Sequence, residues 1–167
     1  MKLPALRAGL PGKVVSFYIV PLGPVLKRGA RGGTCRPMKD EEIRNTLRTS
    51  KTVAVVGISP KEDRPSYGVA SYLKSKGYRI IPVRPDGDEI LGEKVYHSLT
   101  EIPRGIDIDV VDIFRKSEDV PPVVEEAIRR GAQVVWMQEG IINQEACVKA
   151  EKAGLKVVMD RCMKKEH

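Results

Sequence analysis

From residue 38 onward, short apolar runs of strand length alternate with amphipathic stretches of about three helical turns. Asp40 to Thr49 reads as a short helix, with Asp40 in the N-cap position and Ile43 and Leu47 four apart on one face. The β-branched run Thr52–Gly57 follows and has no polar alternation, as expected of a parallel strand buried on both faces. Tyr67 to Lys76 reads as a helix closed by Gly77, and Tyr78–Val83 as a second strand. A turn-rich stretch carries a short strand or turn near Glu89–Leu91. Ile106 to Phe114 is the next strand, with Asp107, Asp109 and Asp112 interleaved among apolar residues. Ser117 opens a helix that takes Pro121 and Pro122 into its first turns and ends at Gly131. Ala132–Met137 and Leu155–Met159 are strands, separated by a helix from Asn143 to Ala153. Alternation of this kind, with right-handed crossovers, predicts an α/β architecture: a doubly wound, mostly parallel sheet in three layers.

Residues 1–37 break the pattern. They hold six Gly and five Pro and show no useful periodicity, a linker-like composition. They also hold seven of the 29 Lys and Arg and none of the 22 Asp and Glu, which leaves the remainder of the chain balanced. The formal charge of +7 therefore belongs to a basic leader, and nucleic-acid binding by the folded domain is not expected. Like a transit peptide, the leader is basic and acid-free, yet it is poor in serine, and it lacks the cleavage pattern of a secretory signal. Its longest apolar run, Val14–Val20, falls far short of the ~20 residues that span a bilayer. Met38 is thus expected to begin the folded domain and is a candidate start in its own right, with residues 1–37 a disordered arm or an extension. Cys35, Cys147 and Cys162 form no disulfide framework or metal spacing, and His97 and His167 lie far apart. A metal site is not expected, and the cysteine usage suits a reducing cytoplasm.

Open parallel sheets bind ligands beyond the carboxyl ends of their strands, near the point where strand order reverses. That places Gly57–Gly68, Arg84 and Pro85, Phe114–Ser117, Gln138–Gly140 and Asp160–Cys162 on the ligand side. The first loop is not a G-x-G-x-x-G fingerprint, since Ser59 and Glu62 stand at its second and third glycine positions. Gly57 still permits close backbone approach, Ser59 offers a hydroxyl, and Ser66 is placed to cap a helix whose free N–H groups face an anion. The second strand ends in Val83-Arg84-Pro85 rather than in the acid of an NAD domain. An arginine there suits a phosphorylated ribose, as in NADP or coenzyme A, or is simply a solvated surface group. Arg115 is a second candidate phosphate partner. Phe114 either flanks an adenine or caps the core, and Trp136 reads as core. Gln138 is placed to hydrogen-bond an amide-rich ligand arm.

Several segments in one order carry a resemblance: residues 53–57, Arg64–Gly68, Tyr78–Pro85, Ile90–Tyr96 with Ser98-Leu99 and Ile102-Pro103, Asp109–Arg115, Val135–Gly140 and Val157–Cys162. Together they resemble the stand-alone CoA-binding domain proteins, small relatives of the CoA-binding domain of succinyl-CoA synthetase α subunits. The resemblance covers residues 40–164. It implies a Rossmann-like fold with coenzyme A as the small-molecule ligand. It places the pyrophosphate at Gly57, Ile58 and Ser59 and at the helix start formed by Arg64, Ser66, Tyr67 and Gly68. The adenosine would lie beside Val83, Arg84 and Pro85, with Phe114, Arg115 and Ser117 as the opposite wall. Gln138, Gly140 and Cys162 complete the rim. Family members commonly carry Asn where this chain has Arg84, so the phosphate contact assigned to Arg84 is this chain's own.

The ligase relatives need a phosphorylatable histidine on a separate domain, and no Ser/His/Asp or Cys/His set is evident in this sequence. The expectation is a non-catalytic CoA-binding domain, with an NADP-dependent reductase as the alternative. Cys162, following Arg161 on the ligand side, is a candidate for a mixed disulfide with the CoA thiol. No membrane partner is expected, and self-association is left open.

Overall fold

The apolar runs pair as parallel strands in a computed structural model that describes residues Thr34–His167. β1 (Thr52–Val56) lies between β2 (Arg79–Val83) and β5 (Val110–Ile113). β6 (Val134–Met137) and β7 (Lys156–Val158) extend the sheet, giving the order β2-β1-β5-β6-β7. The register aligns Val55 of β1 with Asp112 of β5 and Asp112 with Trp136 of β6. β3 (Glu89–Ile90) and β4 (Glu93–Lys94) form a separate antiparallel ribbon where a single turn or strand was expected.

Because side chains alternate along a strand, the sheet serves two cores. Val53, Val55, Val110, Val134, Trp136 and Val158 pack beneath α1 (Asp40–Thr49), α2 (Pro65–Ser75) and α5 (Met163–Glu166). Ala54, Val56, Val111, Ile113, Val135 and Met137 pack against α3 (Val120–Arg130) and α4 (Gln144–Lys152). The expected doubly wound, Rossmann-like sheet in three layers is present. Trp136 is fully buried, and its ring N–H donates to the Arg161 carbonyl at 2.7 Å.

Several boundaries depart from the pattern-based reading. The residue before α1 is Lys39, not Asp40; its backbone N–H donates to Glu42 Oε2 at 2.9 Å. Pro65 starts α2 earlier than expected, because proline suits the first helical position. Arg64 therefore occupies the N-cap, and Ser66 sits inside the helix. The strand expected from Ile106 begins only at Val110, since the Asp109 carboxylate accepts from the backbone N–H groups of Lys51 and Thr52 at 2.8 and 2.9 Å. Asp109 thereby ties the entry of β1 to β5 through its side chain, while its main chain still bonds to Thr52 and Val134. α5 carries no periodicity long enough to be read from sequence.

The leader reading falls, for residues 1–33, outside the described residues. Residues 34–37, assigned to that leader by composition, pack on the domain: Cys35 contacts the α3/α4 core, and the Arg36 N–H donates to Glu151 at 2.8 Å. Cys35 is disulfide-bonded to Cys147, with a Cα–Cα separation of 5.6 Å, so the expectation of three unpaired cysteines does not hold. Their 112-residue separation in sequence hid a pairing that only the fold creates. Among the described residues, no helix is long and apolar enough to cross a membrane.

α1 is held mainly through Ile43, which is fully buried. Ile43→Ala should destabilise the domain by about 2–5 kcal/mol, whereas Glu41→Ala, on the exposed face, should stay within about 0.5 kcal/mol of wild type. Urea titration of both variants checks this.

Candidate functional site

The chain passes from β1 to β2 on one side and later returns to place β5 on the other, so strand order reverses between β1 and β5. The chain leaves their carboxyl ends in different directions there, and a crevice lies beyond them. Gly57, immediately after β1, forms the floor. Its φ is +84°, and a Cβ built on it would lie 3.0 Å from the Phe114 carbonyl oxygen and 3.3 Å from Arg115 Cδ. Only glycine satisfies both the backbone angle and the close approach of the two strand ends. The Gly57 N–H donates to the Val83 carbonyl and the Phe114 N–H to that of Val56, both at 2.8 Å, so the floor is knitted from three strands.

A cavity of about 450 Å³ stands over this floor. It gathers seven of the expected ligand residues: Gly57, Ile58, Ser59, Arg84, Pro85, Phe114 and Arg115. Pro60, Lys61 and Asp86 complete it. A neighbouring hollow of about 270 Å³ shares Arg84 and Arg115 and adds Val83, His97, Ser98 and Glu126. His97 is exposed and lines this hollow, and its backbone N–H donates to Glu101 at 3.0 Å. That bond is the main reason the Glu101 carboxyl sits below its ordinary value. Other hollows, beside Arg36–Lys39 and along α4, lie away from the reversal of strand order.

The two arginines set the electrostatics. Arg84 is one-fifth exposed, its Nε is buried without a partner, and its nearest acid, Asp86, stands 3.6 Å away and points into water. Arg115 is half-buried and, among the described residues, has no acid within ion-pair distance. Lys61 adds a third cation at the mouth.

The remaining expected residues divide into supports and bystanders. The Ser66 hydroxyl, buried in the first turn of α2, accepts from the Ser59 N–H at 3.0 Å, and Ser59 Oγ accepts from the Lys61 N–H at 3.2 Å. Both serines therefore shape the loop. Ser66 does so from inside the helix instead of capping it, and the N–H groups of Tyr67 and Gly68 are taken by the Arg64 carbonyl. Val83 is buried beneath the adjoining hollow. Ser117 accepts from the Ile142 N–H through its hydroxyl, and its carbonyl accepts from Asn143 Nδ2. Gly140 donates to Asp160 at 2.7 Å, joining the loops after β6 and β7. Cys162 is a partly exposed free thiol at the start of α5. Ser117, Gly140 and Cys162 do not line the cavity.

Gln138 requires a correction. Instead of reaching outward to a ligand arm, it is buried, and its Nε2 donates to Asp112 Oδ1 at 2.7 Å. Asp112 is fully buried in the middle of the sheet, and its Oδ2 has no partner. An inward carboxylate needs a donor, and Gln138, one strand over and two residues beyond the aligned Trp136, supplies it. Burial pushes the Asp112 carboxyl up to about 7, with the Gln138 hydrogen bond opposing that rise.

A family model described as "CoA binding domain" matches residues 51–167. The chain belongs to this family. YneT of Bacillus subtilis strain 168, an uncharacterized protein, is 45% identical over 126 residues, covering 75% of this chain and 92% of YneT. A solved structure of a hypothetical protein from Pyrococcus horikoshii OT3 superposes with a TM-score of 0.75 at 45% identity, covering 79% of this chain and 94% of that one. The α subunit of the ADP-forming acetate–CoA ligase I of Pyrococcus furiosus is 33% identical over 124 residues, covering 65% of this chain. Only 26% of that ligase subunit is spanned, so this CoA-binding domain corresponds to one portion of the larger enzyme.

Two outcomes follow for the domain's framework. Gly57→Ala should lose about 1–3 kcal/mol in urea unfolding, from the left-handed backbone angle and the clash with Phe114. Asp112 is protonated in the fold and ionised in the unfolded chain between about pH 4 and pH 7. Its contribution to stability is therefore complete at lower pH and is lost as pH rises through that window, with a slope approaching about 1.4 kcal/mol per pH unit. Asp112→Asn should flatten the stability profile between pH 4 and 7, which thermal melts across that range would read.

Proposed function

We propose that the crevice between β1 and β5 binds coenzyme A, and that the domain acts as a binding module with no chemistry of its own. The observation that carries this reading is the pair Arg84 and Arg115 on one cavity: Arg84 keeps a buried Nε without an acceptor and meets only the exposed Asp86 at 3.6 Å, and Arg115 has no acid within ion-pair distance among the described residues. A CoA nucleotide presents a pyrophosphate and a 3′-phosphate, and guanidinium groups bind such anions through paired, charge-assisted hydrogen bonds. Gly57 lets the ligand approach the backbone, and the Ser59–Ser66 bond holds the loop open. Membership of the CoA-binding family supports the choice of ligand. The cavity lining supplies three cations, a phenyl ring, the Ser59 hydroxyl and the Asp86 carboxylate, and contains no histidine or cysteine. That composition fits holding a ligand better than transforming it.

The assignment within the site is that Arg84 meets the 3′-phosphate and Arg115 the pyrophosphate. Cys162, a partly exposed free thiol beyond β7, is the proposed partner of the CoA sulfur under oxidising conditions. That step would join the two sulfurs, release two protons, and pass two electrons to an external disulfide.

Calorimetric titration with CoA, 3′-dephospho-CoA and NADP tests the reading. CoA should bind best, and Arg84→Ala should lose about 1.5–3 kcal/mol of CoA affinity. Dephospho-CoA should bind wild type and variant alike. NADP binding as tight as CoA would reverse the assignment in favour of an NADP-dependent reductase. Intact mass with and without reductant tests the Cys162 step; a CoA-loaded protein that sheds no CoA mass on reduction excludes it.

A further inference from the structure

β7 is the last strand of the sheet, so one of its edges has no strand beside it. Unpaired strand edges invite foreign strands, and folded proteins cover them. Here the cover is the chain entering the domain. The Met38 N–H donates to the Val157 carbonyl at 2.9 Å, and the Arg36 N–H donates to Glu151 of α4 at 2.8 Å. Cys35, one residue earlier, is joined to Cys147, near the start of α4. Apart from the disulfide, these attachments of residues 34–38 are a pair of backbone donors and the buried Met38 side chain. Hydrogen bonds of this kind contribute only about 0.5–1.5 kcal/mol each, so the covalent link decides whether the segment stays seated.

The two sulfurs differ in access. Cys147 is fully buried, whereas Cys35 is partly exposed and lines a hollow of about 630 Å³ with Thr34, Gln144, Val148, Lys149 and Lys152. Lys149 is paired with Glu125; Lys152 has no acidic partner among the described residues. Glu145 lines the same hollow and the Glu151 carboxylate lies within 4.8 Å of both sulfurs, so access rather than charge separates them: a small thiol can approach Cys35 but not Cys147.

We propose that the Cys35–Cys147 pair is a reversible thiol–disulfide clasp that fastens residues 34–38 along the exposed edge of β7. In the opening direction, a small thiolate attacks Cys35 Sγ, the Cys35–Cys147 bond breaks, and Cys147 leaves as a thiolate that takes up a proton. A second small thiolate then attacks the mixed disulfide, releasing Cys35 and one small-molecule disulfide. Two electrons pass from the two small thiols to the protein, and the reverse sequence, with a small disulfide as oxidant, closes the clasp. Opening frees Cys35 from α4 and leaves the segment held by one hydrogen bond to β7, one to α4 and the Met38 side chain.

The test uses the full chain, first poised with glutathione disulfide and then with dithiothreitol. Peptide mapping without reductant should recover a linked pair carrying Cys35 and Cys147, short of two hydrogens, which dithiothreitol separates. Hydrogen exchange of the peptide spanning residues 34–39 should quicken at least ten-fold on reduction, while residues 43–49 of α1 remain unchanged. Cys35→Ser should exchange fast under both conditions. Absence of the linked peptide in the oxidised sample would overturn the clasp, as would equal exchange of residues 34–39 in the two states. So would a zinc ion retained by the reduced protein on Cys35, Cys147 and Glu151, whose ligand atoms lie within 4.8 Å of one another. The wild-type measurements stand without any variant, so a failure of Cys35→Ser to fold leaves the outcome decidable.

Discussion

Everything functional in this domain depends on how closely the carboxyl ends of β1 and β5 approach. The strands are hydrogen-bonded neighbours up to Val56 and Ile113, and the chain then leaves each of them in a different direction. Gly57 and Phe114 meet backbone to backbone at that point, with no room for a side chain on the first. A floor made of main chain is chemically plain but rigid, because its N–H and C=O groups are already committed to three strands. Side chains from the surrounding loops then decide what the crevice accepts.

The order of strands and helices was legible because apolar runs without alternation require burial on both faces, and nearly every run became a strand at the center of its predicted range. The ends were less legible, for local reasons. Asp109 looked like one polar position within a strand, yet its carboxylate is worth more across the sheet, where it closes off the start of β1. Ser66 had the residue type of a cap, but Pro65 fixed the helix start one residue before it. For the site, position after a strand correctly predicted the cavity wall at Arg84 and Arg115. The same rule failed for Gln138, because the sequence gives no hint that a buried acid two strand positions back needs an amide donor. Cys35 and Cys147 were illegible for a simpler reason: proximity between residues so far apart is a property of the completed fold.

The Asp112–Gln138 pair is a polar insertion in an otherwise apolar sheet. One of its oxygens has a donor and the other has none, so the carboxyl is better off neutral near physiological pH. Its position is informative. Asp112 is aligned with Val55 and Trp136, one residue before the end of β5, and Gln138 begins the loop after β6. The bond therefore fixes the exits of two adjacent strands relative to each other just below the crevice. A buried hydrogen bond of this kind adds little net stability, but it penalises any register other than the observed one.

Arg84 shows the converse arrangement, a guanidinium whose buried Nε lacks the acceptor that burial normally demands. Some other cations in the domain have acids at hand: Lys74 with Glu93, Arg161 with Asp40, Lys165 with Glu139. Those pairs are exposed, and such pairs contribute at most about 1 kcal/mol. Arg84 has one such pair, with the exposed Asp86 at 3.6 Å, yet keeps a buried Nε without an acceptor at a cost of about 1–3 kcal/mol. An uncompensated donor persists in a fold when some other state satisfies it. Arg115 lines the same cavity and has no acid within ion-pair distance among the described residues. Under the proposed CoA-binding function, a phosphate-bearing ligand would supply the acceptor that the Arg84 Nε lacks, and would need to create little new structure to do so.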